Sequence, residues 1–304
     1  MTFAAEFLHT PDLFPGRRSG ESWGDRRIAV GTPGGPYVFS GLSADQEAGL
    51  RRRFGTLCRE PGGAGIETRV FAVPASDFRE VDTRGWEYNL SMDFSPGSVR
   101  FAGLRLMGRM DWVPSLKGGL WSPEGDGDLF APVLENFFRV LTAYRLLETG
   151  GALLHSAAVA EGDGAFLLLG PSGAGKTTAS RLCEERGGLV LSDDLNAVVP
   201  GSAGAWVEKL PFTGDLGDRT GGPVRVPLRA ILRLEKGSGE RLVPLSPARA
   251  FAHLLAASPF ANRDPWREEA LLGTLERLAR SVPAYTLVFS LGGGLWDILR
   301  SIQP

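Results

Sequence analysis

The sequence predicts an α/β protein in which a smaller α+β domain precedes the main α/β core, and three observations carry that expectation. The runs AFLLLG, GPSGAGKTT and LVLSDD follow one another between residues 165 and 194. Their order is strand, glycine loop, helix, strand, the repeating unit of α/β cores. Upstream, short alternating runs broken by Gly and Pro clusters read as strands of a separate, mostly β region. Between the two, Pro132 to Glu148 places Val133, Phe137, Val140, Leu141, Tyr144 and Leu147 at helical spacing and stops at Gly150-Gly151. That is an amphipathic helix with a glycine C-terminus.

In chain order, residues 1–26 are rich in Gly, Arg, Ser and Pro without lasting periodicity and read as an irregular leader. The α+β domain, 27–130, is expected to hold strands at RIAV, PYVFSG, ETRVFAV, WEYNLSMDF and VRFAGLRLM, with a helix from Ala44 to Thr56. Its Trp86, Trp112 and Trp121 are expected in the core, where aromatics scattered through strands usually pack. The second domain, 131–304, opens on the amphipathic helix. It continues with a strand ALLHSAAVA, a turn EGDG, the strand–loop–helix unit, LVLSDD after Gly187-Gly188, and strands at 195–199 and 206–210. A strand RAILRLE, a helix opened by Ser246-Pro247, a helix over 265–280, a strand AYTLVFS and a helix over 295–302 complete it.

Composition narrows the function classes. Of 304 residues 43% are hydrophobic and 22% charged, the balance of a globular protein. A net charge of −2 without any block of like charge argues against nucleic acid as a partner. No apolar run approaches the ~20 residues of a membrane span, and the N-terminus lacks the basic start of a signal peptide. A cytoplasmic location without a membrane partner is therefore expected. Cys58 and Cys183 are the two cysteines, too few for a disulfide scaffold, and both are expected as core thiols. Lysine occurs at four positions, 117, 176, 209 and 236, and one of them falls in the glycine loop.

Gly170 to Thr177 matches GxxxxGK[ST] without a mismatch, between an apolar strand and a helix, the context this phosphate-binding motif requires. Glycines at 170, 173 and 175 permit the backbone to wrap its N–H groups around phosphate oxygens. The following helix adds its free N–H groups and positive dipole end, Lys176 a point charge, and Thr177 a hydroxyl for Mg²⁺. Candidate contacts to ATP are Gly170, Ser172, Gly173, Ala174, Gly175, Lys176, Thr177 and Thr178. Asp193 and Asp194 end a strand expected to run beside the loop's strand, so both carboxylates should reach the phosphates. One can hold Mg²⁺ while the other takes a proton from an attacking hydroxyl. His155, one of three histidines, lies among apolar residues in LLHSAAV and by itself reads as a core histidine.

His155, then GPSGAGKTT, then a helix ending in Arg-Gly-Gly, then LVLSDD together resemble the catalytic domain of the HPr kinase/phosphorylase family and its shorter relatives. The resemblance covers residues 150–236 and includes Lys209 to Gly214 and the strand after it. It implies a P-loop core related to phosphoenolpyruvate carboxykinase and a kinase that phosphorylates a Ser or Thr hydroxyl of a protein or peptide, with ATP and Mg²⁺. Some of the shorter relatives modify peptide natural products. By position, Lys176 and Thr177 would hold phosphates and metal, Asp193 would be the general base, Asp194 a metal ligand, and His155 would complete the catalytic set. The family usually carries Ser-Glu after the loop lysine, where this chain has Thr177-Thr178. A small-molecule kinase on the same core and a nucleotide-binding regulatory module without catalysis are the competing expectations, and an oligomer is compatible with each.

Overall fold

A computed structural model describes residues 21–75, 78, 90–124, 127–202, 204–212, 214–217, 224–290 and 294–302. The expected leader up to residue 20, Trp86 and the start of the WEYNLSMDF strand lie outside the described residues. The protein is a mixed α/β chain with two mixed sheets, divided into compact units at 1–141 and 142–304. The division falls inside helix Phe130–Glu148, not at its start.

The first unit is built on one eight-stranded sheet. Its strands are β1 (Arg26–Val30), β2 (Tyr37–Leu42), β3 (Cys58–Arg59), β4 (Ile66–Val73), β5 (Ser91–Phe94), β6 (Ser98–Gly103), β7 (Leu106–Asp111) and β8 (Lys117–Pro123). They lie in the order β3-β1-β2-β4-β8-β7-β6-β5. VRFAGLRLM, expected as one strand, folds back into β6 and β7 because Arg105 takes a left-handed φ of 56°. Strand β8, with its Gly118-Gly119 pair, gave no alternating signal and was not expected. The helix α1 (Ala44–Phe54) starts at a capping box in which Ser43 accepts from the Gln46 amide at 3.2 Å. Trp121 is buried and stacks on Phe71 at 4.9 Å, as a core aromatic should. Trp112 is only half-buried. The chain from Glu21 is already tied to this sheet: Ala72 donates to the Glu21 carbonyl at 2.8 Å, and Arg69 to Ser22.

Helix α2 (Phe130–Glu148) crosses into the second unit. Strands there are β9 (Ala152–His155), β10 (Ala157–Glu161), β11 (Gly164–Leu169), β12 (Leu189–Ser192), β13 (Leu195–Gly201), β14 (Gly204–Lys209), β15 (Arg225–Lys236), β16 (Arg241–Pro244) and β17 (Ala284–Phe289). Helices α3 (Lys176–Glu185), α4 (Pro247–Ala257), α5 (Glu268–Ser281) and α6 (Leu295–Arg300) surround them. The twelve-residue β15 joins two halves of the sheet. Its first residues pair with β14, which continues to β13 and β9. Its later residues pair in parallel with β11 on one side and β17 on the other.

Alternation along these strands makes two apolar faces. Val159, Phe166, Leu168, Leu232 and Leu287 form one core with Ala179 and Cys183 of α3 and Trp296 of α6. The intervening Leu167, Leu169 and Ile231 are equally buried on the opposite face; α4 packs on β11 and β17, and α5 on β13 and β14. Cys183 is fully buried and its thiol is pushed up to about 12 by loss of solvation, so it is a core thiol as expected. Cys58 is not, being only half-buried. Alkylation of the native protein should label Cys58 and spare Cys183 until the chain is unfolded, a difference that peptide mass mapping reads directly.

Two expectations about β connectivity need correction. ALLHSAAVA is two strands: β9 pairs with β13, the chain breaks at Ser156, and β10 pairs with β11. LVLSDD does not run beside the loop's strand either, because antiparallel β10 lies between β12 and β11. Two antiparallel steps leave β12 parallel to β11, so its carboxyl end still reaches the same edge of the sheet.

Candidate functional site

The carboxyl ends of β11, β15 and β17, three neighbouring parallel strands, meet at one sheet edge with the end of β12. A cleft of about 1090 Å³ opens there, between the loop 170–177 and the turns after β12, β15 and β17. Open sheets of this kind collect ligands where such strand ends diverge.

The loop takes its shape from its glycines. Gly173 and Gly175 hold φ of 75° and 103°, values costly for any residue with a Cβ. A Cβ on Gly175 would also stand 2.7 Å from the Phe289 ring, which lies under the loop. Gly175 is the N-cap of α3, and no side chain caps the first turn, so its amides face the cleft uncapped. Ser172, Gly173, Gly175, Lys176, Thr177 and Thr178 line the cleft. Gly170 and Ala174 stand behind it: the Gly170 carbonyl accepts from Lys176 Nζ at 2.8 Å, and the Ala174 amide is used within the loop, donating to Pro171. Lys176 is buried against the loop, and loss of solvation holds its ammonium below the ordinary value, opposed by Asp194 and Asp193.

The acidic corner follows from strand pairing. The chain leaves one half of the sheet for the other at two places, between β9 and β10 and between β12 and β13. These crossings lie side by side because His155 pairs in register with Leu195. Ser156 donates its amide to the Asp194 carbonyl at 2.9 Å, and Asn196, wholly buried, donates to both Ser156 oxygens at 2.8 and 3.1 Å. His155 therefore belongs to the cleft and not to the core. Its ring is half exposed, with Nδ1 3.2 Å from Asp194 Oδ1.

The two aspartates have different surroundings. Asp193 is buried; Thr177 Oγ1 donates to its Oδ2 at 3.4 Å and the Leu216 amide to its Oδ1 at 3.5 Å. Asp194 is more open and faces His155. Among the described residues no group of three His, Cys, Asp or Glu could hold a metal without further ligands.

The structure adds cleft residues not expected as site residues: Gly214, which lay in the resembling stretch without an assigned role, Asp215, Lys236 and Gly237 at the end of β15, and Phe289 and Ser290 at the end of β17. Two of the chain's four lysines thus face this one cleft, a bias that could have drawn attention to Lys236. Gly214 touches Asp193 so closely that a Cβ there would lie 2.2 Å from Oδ1. Gly214→Ala is expected to cost about 1–3 kcal/mol in denaturant unfolding, as overpacked sites do. An unchanged midpoint would mean that the turn yields freely.

No curated protein matches the chain. Residues 133–302, more than half of the sequence and the whole of the cleft, match the family described as SynChlorMet cassette protein ScmC. The chain belongs to the SynChlorMet cassette protein ScmC family.

Proposed function

We propose that this protein is an ATP- and Mg²⁺-dependent kinase with a P-loop core of the HPr kinase/phosphoenolpyruvate carboxykinase-like type, which phosphorylates a Ser or Thr hydroxyl of a protein or peptide. The observation that carries the reading is one cleft that combines an uncapped helix N-terminus and a loop lysine with two carboxylates of different exposure. Backbone amides of Gly173 and of Gly175 to Thr178, with the ammonium of Lys176, would hold the β and γ phosphates. To do so Lys176 must leave the Gly170 carbonyl, and phosphate oxygens repay that exchange with stronger charge-assisted bonds. Mg²⁺ would neutralise charge on the phosphates, and a cation that prefers one or two carboxylates plus phosphate oxygens needs no complete protein cage.

The contacts favour exchanging the roles expected for the two aspartates. Asp193, buried and bonded to Thr177, suits the metal side; Asp194, more open and beside His155, suits the base. Asp194 would take the hydroxyl proton as the acceptor oxygen bonds to the γ phosphorus and the bond to the bridging β–γ oxygen breaks, releasing ADP. His155 would orient that carboxylate. A regulatory module needs only the loop, and the His155–Asp194 pair in the cleft gives it no use.

Lys236 extends this reading, since it lines the same cleft and would add a second ammonium for phosphate. Lys236→Ala is expected to weaken Mg·ATP binding roughly two- to fivefold, the share of an exposed charge. Titration calorimetry measures it, and an unaltered Kd removes Lys236 from the site. The function itself is tested by incubating the protein with γ-labelled ATP and candidate peptides and locating phosphate by mass spectrometry. Persistent absence of transfer to Ser or Thr, with ATP bound, would leave a binding module.

A further inference from the structure

A second concavity, of about 940 Å³, lies between α4 and α5. Pro247, Phe251 and Leu272 give it apolar walls, and Glu268, Glu269 and Glu276 bring carboxylates to it. Its guanidinium, Arg280, is already held by Glu276 at 2.8 Å. The groove therefore presents apolar surface with a net negative charge.

Gly273 sits in the middle of α5 and lines the same groove. A glycine inside a helix costs about 1 kcal/mol relative to alanine. Nothing in the packing requires it: an added Cβ would meet only the Arg277 guanidinium, at 3.8 Å, and that group is bound to Thr274 at 3.0 Å. A bare backbone at this point keeps the groove deep enough for another chain to approach closely.

The groove is remote from the cleft. Leu245, just before α4, donates to the Ala284 carbonyl at the start of β17, and α5 leads into the same end through Val282. The cleft lies at the other end of β17, past Phe289. Five residue steps at about 3.3 Å separate the ends by roughly 17 Å.

We propose that the α4–α5 groove docks a basic amphipathic helix of a partner protein, with apolar side chains on Phe251 and Leu272, its backbone over Gly273 and its Arg or Lys side chains on Glu268 and Glu269. Two helices flanking an apolar trough accept a third helix by its apolar face, and charge selects the basic sequence. This site does not depend on the kinase reading.

The probe is a fluorescein-labelled synthetic helix with Leu at i, i+3, i+4 and i+7 and Arg at its polar positions, titrated with the 304-residue chain by anisotropy. Saturable micromolar binding is expected. The Glu268→Lys/Glu269→Lys double variant should weaken it at least tenfold, Gly273→Leu should do so too, and Asp194→Asn should leave it unchanged. Gly273→Ala guards against misfolding: it should raise thermal stability while weakening the peptide. Equal binding of a peptide with Glu in place of Arg, or variants that bind like the wild type, would overturn the proposal. So would sedimentation showing a dimer that Gly273→Leu dissolves, since a second copy would then be the occupant.

Discussion

Asp194→Asn is expected to lower phosphoryl transfer by roughly 10²–10⁴-fold, the contribution of a positioned general base, with Mg·ATP affinity almost unaltered. The amide keeps the shape of the carboxylate and loses only its capacity to take a proton. Asp193→Asn should behave differently, because on the proposed reading a carboxylate bonded to Thr177 would act on metal and phosphate charge together. Its defect should shrink as Mg²⁺ is raised. Rates against Mg²⁺ concentration for the two variants, with a phosphorylated peptide as the readout, separate the roles. The reverse pattern, with Asp193→Asn insensitive to Mg²⁺, would restore Asp193 as base, as the family resemblance implies. Adjacent carboxylates share protons, so the two rate profiles are to be compared as a pair.

Lys176→Ala should reduce Mg·ATP affinity about ten- to hundredfold, since a hydrogen bond to a charged group contributes about 1.5–3 kcal/mol. Calorimetry on a folded variant decides it, and an unchanged Kd would move nucleotide binding away from this loop. The depressed ammonium adds a pH dependence of definite sign. Burial favours neutral Lys176 in the free protein and phosphate favours the charged form, so binding raises its pKa. In the alkaline range, approaching the ordinary 10.5, ATP binding should take up protons and weaken as pH rises. Titrations in buffers of different ionisation enthalpy would show the uptake, and Lys176→Ala should abolish it.

What the sequence made legible was local. The loop could be read because its glycines, lysine and helix are contiguous, and Asp193-Asp194 because a carboxylate pair ends an apolar run. His155 read as a core residue from its neighbours, since its partner is set by the register of β9 on β13, forty residues away. Lys236 and Asp215 reach the cleft through pairings and turns distant in sequence, which no short pattern encodes. The break at Ser156 was invisible because both strands are apolar, and the bonds that fix it, from Asn196 to Ser156 and from Ser156 to Asp194, join residues some forty apart. Strand β16 (RLVP) was missed because it is an exposed edge paired only with β17.

The length of β15 bears on how the second unit comes apart. Around Leu232 the strand is paired with β11 on one side and β17 on the other, so the loss of either neighbour alone leaves it held. Its central amides, Ala230 to Leu234, should therefore exchange with deuterium only through global unfolding and mark the slowest-exchanging part of this unit. The groove helices and the cleft turns attach to opposite ends of that slow core, so each can breathe locally without the other.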